Sequence, residues 1–166
     1  MMSDVKRLLE GAKFRAKGNG LDDMEVGQVF KHHWGRTVLE SDCVQFSTMT
    51  LNFNPLYFNK EYAKAHGHST IVVNPMMVFL TVFGLSVEDL SESGGAFLGV
   101  ENLNFLKAVY PDDTLTARSE VIDLRDSDSR PGMGIATWHT EGFNQRNEKV
   151  IDFDRTNLIA KKLNRK

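Results

Sequence analysis

Hydrophobic positions along this chain change their spacing, and the change separates a mainly helical part from a part made of strands. Between residues 114 and 124, Leu115, Ala117 and Val121 alternate with polar neighbours, the period-two pattern of a strand with one buried face. Similar segments follow, and the polar turn 144–147 joins the last two as a hairpin. The strands predicted in this part are 97–109, 114–124, 134–144 and 149–160.

The preceding part of the chain predicts one strand followed by helices. Residues 28–38 suit a first strand. Glu40 and Asp42 then place acids where the positive end of a helix dipole favours them, so a helix begins there. The apolar stripe predicted for this helix consists of Val44, Phe46, Met49 and Leu51. A second, short helix is predicted over 60–66.

Asn74 and Pro75 form the sharpest helix start in the sequence. Asparagine is a favoured N-cap, and proline at the first helical position gives up only an N–H that would be unpaired anyway. Residues 76–85 are apolar on all sides, which predicts a helix enclosed by the rest of the domain. One strand, a helical section and a run of antiparallel strands together predict an α+β protein.

Composition limits the classes of function. The chain has 166 residues, enough for one domain; we expect a flexible lead-in over 1–20 and a single domain over 21–166. The formal net charge of -2 argues against nucleic acid or an anionic membrane as the main partner. The sequence has neither a bilayer-spanning apolar stretch nor a secretory signal pattern, so we expect a cytoplasmic protein. The single Cys43 should pack as a small hydrophobe.

The run from Leu51 to Tyr57, followed by 59–63, resembles the signature of the MaoC-like, (R)-specific enoyl-CoA hydratase family. That signature is an Asp, a variable residue, Asn-Pro, an apolar residue and a His, followed by a short acidic helix ending in Tyr-Ala. The resemblance covers about 26–160, and the stretch 126–146 is similar to the subgroup that hydrates mesaconyl-CoA or itaconyl-CoA.

The resemblance implies a hot-dog fold, in which a curved antiparallel sheet wraps around a central buried helix. It also implies a homodimer, since family members pair exposed strand edges across a two-fold axis, and an acyl-CoA substrate, expected to be short and branched or dicarboxylic. It implies no cofactor. The His-Gly-His run 66–68 has no acidic or Cys partner at ligand spacing, so no metal site is expected.

The two catalytic positions of the signature are altered in this chain. The family's Asp and His are an acid/base pair, and they read Asn52 and Tyr57 here. An amide has no basic nitrogen and can only orient or polarise, whereas a phenol can donate a proton but is a poor base. We expect Asn52 to orient the water or the thioester and Tyr57 to donate the proton. Asn54 should fix the turn that aims both into the cleft.

The start of the long helix is the expected place for the thioester carbonyl. The resemblance assigns the stabilisation of the enolate oxygen to backbone N–H groups there. Pro75 lacks an N–H, so Asn74, Met76 and Met77 are the predicted binding residues, with His68 beside them.

Other titratable residues are weaker candidates. His66 or His68 could replace the lost base, although exposed loop histidines are the simpler interpretation. Arg130 and Arg155 could bind a carboxylate or a CoA phosphate. Packing or surface roles are expected for His32, His33 and His139.

Three functions remain open from the sequence. The first is an acyl-CoA hydratase or dehydratase with altered acid/base residues. The second is a hot-dog acyl-CoA thioesterase, which would release free thiol without a hydrated product. The third is a catalytically inactive acyl-CoA-binding module, which the loss of both acid/base residues favours.

Overall fold

The computed structural model describes residues 18–92 and 94–162, so most of the lead-in predicted over 1–20 lies outside the described residues. Two 3-10 turns accompany the helices and strands, at Leu21–Asp23 and Pro55–Tyr57. The helices are α1 (Glu40–Met49), α2 (Lys60–Ala65) and α3 (Pro75–Leu90). The strands are β1 (Val29–Thr37), β2 (Phe97–Phe105), β3 (Thr114–Asp126), β4 (Met133–Phe143) and β5 (Lys149–Ala160).

The five strands form one antiparallel sheet in the order β1-β3-β4-β5-β2, with β1 and β2 at its edges. α3 lies against one face and contacts β1, β3 and β4. Buried and exposed residues of β3 alternate as predicted as far as Val121, where the pairing with β4 shifts register. Along β4, buried residues alternate with half-buried ones. The predicted α+β hot-dog arrangement, with a long central helix against an antiparallel sheet, is confirmed.

The hydrophobic core has two parts, one under each half of α3. The larger part surrounds the first turns of the helix and includes Val78, Phe79 and Val82. The smaller part surrounds Leu90 at its other end and includes Trp138 of β4. β4 carries glycine where α3 passes closest: a Cβ at Gly142 would lie 2.6 Å from a methyl group of Val82.

The expectation that α3 is enclosed on all sides was wrong. Met76 and Leu80 are 45% and 50% exposed, and Gly84 continues the same helix face. These residues recur every four positions, so they form one apolar stripe that points away from the sheet. The described part of a single copy offers one sheet to cover the helix, which leaves this stripe exposed.

The stripe predicted along α1 was also wrong in part. Val44, Met49 and Leu51 are exposed, whereas Cys43 and Ser47 are buried and Phe46 is half-buried against the core. The helix therefore packs through its 43–46–47 face, where small side chains allow close approach. Cys43 packs as the small hydrophobe that was predicted, and burial raises the pKa of its thiol to about 11.

A buried polar chain ties β1 to the end of α3. The Nδ1 atom of His32 lies 2.6 Å from Asp89 Oδ2, and its Nε2 lies 2.9 Å from Ser119 Oγ, which in turn lies 2.8 Å from Thr140 Oγ1. Burial lowers the pKa of His32 below its ordinary value, although the hydrogen bond to Asp89 opposes this effect. The charges of Arg155 and His33 act in the same direction as burial. His32 therefore packs as a neutral imidazole, as expected of a structural histidine.

The lowered pKa of His32 predicts how stability changes with pH. The unfolded chain takes up the imidazole proton first as pH falls, so the folded state loses stability from about pH 6.5 down to its own lower pKa. The free energy of unfolding can be measured by urea denaturation at pH 7.5 and at pH 5.5. We expect it to fall less between the two pH values in His32→Gln, which lacks the imidazole, than in the wild type. The exposed His66→Gln, at the end of α2, is the matched control and should keep the wild-type pH dependence. Equal pH dependence of wild type and His32→Gln would contradict this assignment.

Candidate active site

The signature loop leaves α1 through a left-handed residue. Leu51 has a φ of 55°, and Asn52 donates its backbone N–H to the carbonyl of Ser47 at 3.0 Å. The six-residue closure is that of a Schellman turn, in which glycine is the usual residue at the left-handed position. A leucine in this conformation costs on the order of 1 kcal/mol. The strain is stored directly beside Asn52.

Asn54 holds the shape of the next turn. Its Oδ1 accepts the backbone N–H of Leu56 at 3.1 Å, and Pro55 opens the 3-10 turn that carries Tyr57. Asn59 caps α2 in the same way, since its Oδ1 accepts the backbone N–H of Tyr62 at 3.0 Å. The turn-forming role predicted for Asn54 and Pro55 is therefore seen directly.

The side chains of Asn52 and Tyr57 are available for a ligand. Asn52 is exposed and Tyr57 is half-buried. Within residues 18–92 and 94–162, neither side chain makes a hydrogen bond. Their polar atoms can therefore meet water or a carbonyl without first breaking an internal bond.

Two backbone hydrogen bonds bring this loop to the start of α3. Val72 donates to the carbonyl of Leu56 at 2.9 Å, and Val73 donates to that of Val109 at 2.9 Å. The extended segment before α3 is thus held between the signature turn and the chain that leaves β2. Residues of the loop and of the helix start become neighbours although some twenty positions separate them in sequence.

The backbone donors predicted at the helix start are already used. Met76 donates its N–H to Asn74 Oδ1 at 2.9 Å, and Met77 donates to the Asn74 carbonyl at 2.9 Å. The expectation of free N–H groups there was wrong, because the N-cap residue itself satisfies them.

The unused donor is the side chain of Asn74. Its residue is 1% exposed, and its Nδ2 has no hydrogen-bond partner in the described part of the chain. Because Oδ1 must face the Met76 N–H, Nδ2 is turned the other way. A buried amide N–H2 without an acceptor costs free energy, which a ligand oxygen would recover.

The histidines near this site differ from one another. His66 is exposed, as expected; its ring stacks on Tyr62 with centroids 4.0 Å apart. His68 is half-buried, and its Nδ1 lies 3.0 Å from the hydroxyl of Tyr110. Sequence reasoning missed Tyr110, because only the fold brings the loop after β2 to the segment before α3.

The arginines proposed from the sequence are not beside the signature loop. Arg155 is 1% exposed and donates to Ser86 Oγ and Asn157 Oδ1, both at 2.9 Å, and to Ser91. Its guanidinium carbon lies 4.0 Å from the centroid of the Phe83 ring, and burial lowers its pKa to about 10. These hydrogen bonds use all three of its guanidinium nitrogens, which leaves no fork for a ligand carboxylate or phosphate. Arg130 is exposed on the β3–β4 turn.

A groove of about 440 Å³ runs between α1 and α3. Met49 and Met77 line it, so it reaches the residues that adjoin the signature loop and the helix start. The described residues hold no cluster of three or more His, Cys, Asp or Glu side chains that could bind a metal. Among the helices of that same part, none has the length and apolar content to span a membrane.

The chain is similar to proteins of one family along nearly its whole length. The family model of mesaconyl-CoA hydratases matches residues 2–165. The mesaconyl-CoA hydratase of Haloarcula hispanica is 35% identical over 156 residues, which are 93% of this chain and 44% of that protein. The chain therefore spans less than half the length of this relative.

Solved structures give the same result for the fold. A MaoC domain protein from Chloroflexus aurantiacus superposes with a TM-score of 0.83 at 30% identity, covering 90% of this chain and 42% of that one. A Mycobacterium tuberculosis protein described as a double hot-dog superposes with a TM-score of 0.79 at 25% identity, covering 90% and 46%. By its sequence, its signature loop and its fold, the chain belongs to the mesaconyl-CoA hydratase family of MaoC-like hot-dog proteins.

Proposed function

We propose that the protein binds a short, branched or dicarboxylic enoyl-CoA and adds water across its α,β double bond, or catalyses the reverse dehydration. The unpartnered Nδ2 of Asn74, buried beside the signature loop, carries this proposal. The names of the relatives, hydratases of a branched dicarboxylic thioester, support the reaction class and the substrate class.

The proposed chemistry assigns one task to each side chain. The thioester oxygen accepts a hydrogen bond from Asn74 Nδ2, which stabilises the negative charge that builds on it when water attacks the β-carbon. Asn52 orients the attacking water. Tyr57 gives its phenolic proton to the α-carbon and recovers a proton from the water that has added, so the protein ends unchanged. No cofactor takes part in these steps, and a cytoplasmic location completes the proposal.

A second candidate is an acyl-CoA-binding module without turnover. The observation in its favour is that neither Asn52 nor Tyr57 is a base of the strength that removes a proton from water near neutral pH. The thioesterase considered from the sequence has no specific support in the geometry.

The altered pair predicts weak activity on a simple substrate. Hydration of crotonyl-CoA can be measured from the decrease in its ultraviolet absorbance. This reaction should be slow for the unmodified protein. Asn52→Asp combined with Tyr57→His restores an acid/base pair at exposed or half-buried positions, and we expect at least a tenfold gain in rate, ~1.4 kcal/mol in activation free energy. Each single change is the control and should give less. Fast turnover by the unmodified protein would place the base elsewhere, with His68 examined first.

The Nδ2 of Asn74 can be tested by exchanging it for an oxygen. Asn74→Asp keeps an acceptor for the Met76 N–H but presents a carboxylate oxygen to the thioester. We expect about tenfold weaker binding of an acyl-CoA by calorimetry, ~1.4 kcal/mol. Asn59→Asp is the matched control, since it is also an asparagine N-cap but caps α2. If the folded Asn74→Asp protein binds as tightly as wild type, the thioester does not use this amide.

We also propose a homodimer in which the exposed stripe of α3 and the edge strand β2 are covered by a second copy. Leu80 is 50% exposed, Phe97 is 54% exposed, and Gly84 has open space around its Cβ position. β2 presents an unpaired edge that a second strand can join. The double hot-dog relative, about twice as long as this chain, shows that two such units can occur in one polypeptide.

The stripe predicts which substitution separates the copies. Leu80→Glu places a charge in the middle of the stripe and should shift sedimentation at micromolar concentration from dimer to monomer. Val44→Glu is the control, because Val44 is 44% exposed on α1 and lies outside the stripe and the β2 edge. A wild-type protein that sediments as a monomer would exclude the homodimer.

A further inference from the structure

The groove between α1 and α3 is lined mainly by apolar side chains and by one ion pair. Phe46 and Met49 line it from α1, and Met77 and Leu80 line it from α3. Leu80 also belongs to the exposed stripe, so the groove opens beside the proposed dimer contact. Arg36 of β1 also lines it and is the only lysine or arginine among its lining residues. Asp42, the ion-pair partner of Arg36, and the uncharged polar residues Gln45 and Thr81 also belong to the lining. Arg36 is therefore the position in this lining that can donate charge-assisted hydrogen bonds to an anionic group of a ligand.

Arg36 lies toward the end of the groove away from the signature loop. Its Nη2 donates to Asp42 Oδ2 at 2.9 Å, and Asp42 is in the first turn of α1. Met49, at the last turn, adjoins the loop. Since an α-helix rises about 1.5 Å per residue, about 10 Å of helix separates the two ends. The cation therefore lies at the end of the groove opposite Met49, the lining residue that precedes the signature loop.

The guanidinium has donors to spare. Asp42 binds one of its three nitrogens, and within the described part of the chain no other hydrogen bond to Arg36 is formed. Asp42 Oδ2 also accepts a hydrogen bond from the backbone N–H of Leu39, so a movement of Asp42 would break this cap of the helix. The pair thus holds the guanidinium in place while leaving its remaining N–H groups for an acceptor.

Resting on the function proposed above, we infer that Arg36 binds the free carboxylate of a dicarboxylic acyl group whose thioester lies at Asn74. A carboxylate in an apolar groove needs a partner to offset its lost hydration, and guanidinium supplies a fork of matching geometry. An uncharged acyl chain would gain nothing from the same side chain. Arg36 is therefore the residue that sets specificity for carboxylated over plain acyl groups.

The test uses two saturated thioesters, so that binding is measured without turnover. Succinyl-CoA and butyryl-CoA have acyl groups of the same length and differ in the terminal carboxylate. By calorimetry, wild type should prefer succinyl-CoA, and Arg36→Met, which keeps an apolar stem, should weaken succinyl-CoA about tenfold while leaving butyryl-CoA unchanged. Arg36→Lys keeps the charge without the fork and should retain part of the preference.

The control is Arg118→Met, since Arg118 is about as exposed as Arg36 and is paired with Glu141 on the outer face of the sheet. It should leave both affinities at the wild-type values. A wild type without preference, or a preference that survives in Arg36→Met, overturns the role of Arg36 and leaves the proposed function standing. Failure of wild type to bind either thioester overturns both.

Discussion

The contact between α3 and the inner face of the sheet is the interaction on which the rest of the structure depends. Phe79 packs edge-on against Phe153 of β5, with ring centroids 5.0 Å apart. Val82 lies where a side chain at position 142 of β4 would stand, so only glycine lets the helix approach so closely. Interiors are packed at near-crystalline density, and such a contact fixes where both ends of the helix lie. The loops acquire their positions from those ends.

The two ends of α3 use polar groups differently. At the first turn, the N-cap amide satisfies the helix and keeps one N–H2 group without a partner. At the last turns, Arg155 donates hydrogen bonds to Ser86, Ser91 and Asn157. No carboxylate in the described part forms an ion pair with this guanidinium; the aromatic face of Phe83 and the negative end of the helix dipole offset part of its charge. The unpaired amide at the first turn supports the proposed role in ligand binding. The fully hydrogen-bonded guanidinium at the last turns has a structural role.

The altered signature separates binding from acid/base chemistry. The turn that Asn54 and Pro55 form is intact, and so is its attachment to the segment before α3. In the proposed function these are the parts that place the thioester. The parts that move protons, at positions 52 and 57, have become an amide and a phenol. A strained leucine just before Asn52 shows that the backbone still holds this position in a costly conformation. The proposed function therefore separates substrate binding, whose residues are kept, from proton transfer, whose residues are altered.

The sequence by itself determined the order of the elements, because their signals are local. Period-two alternation predicted the extent of β3, and the polar turn 144–147 predicted those of β4 and β5, all to within a few residues. The Asn74-Pro75 cap placed the first residue of α3 correctly. The signature likewise identified the turn at Pro55–Tyr57. Each of these features depends on neighbours only a few positions away, so each can be seen in one dimension.

Tertiary structure decided which polar groups are already hydrogen-bonded within the chain and which side chains remain available to a ligand or a partner. An apolar helix such as α3 shows no preferred face in sequence, so only its sheet determines that Met76 and Leu80 stay in solvent. The N–H groups of Met76 and Met77 are counted as donors in the sequence but are occupied by Asn74 in the fold. Arg155 and Arg36 are the same residue type in sequence. Internal hydrogen bonds occupy all three nitrogens of the first, and the meeting of β1, α1 and α3 opens a groove beside the second. Burial and hydrogen bonding are relations between distant segments, and for this reason they follow only from the folded chain.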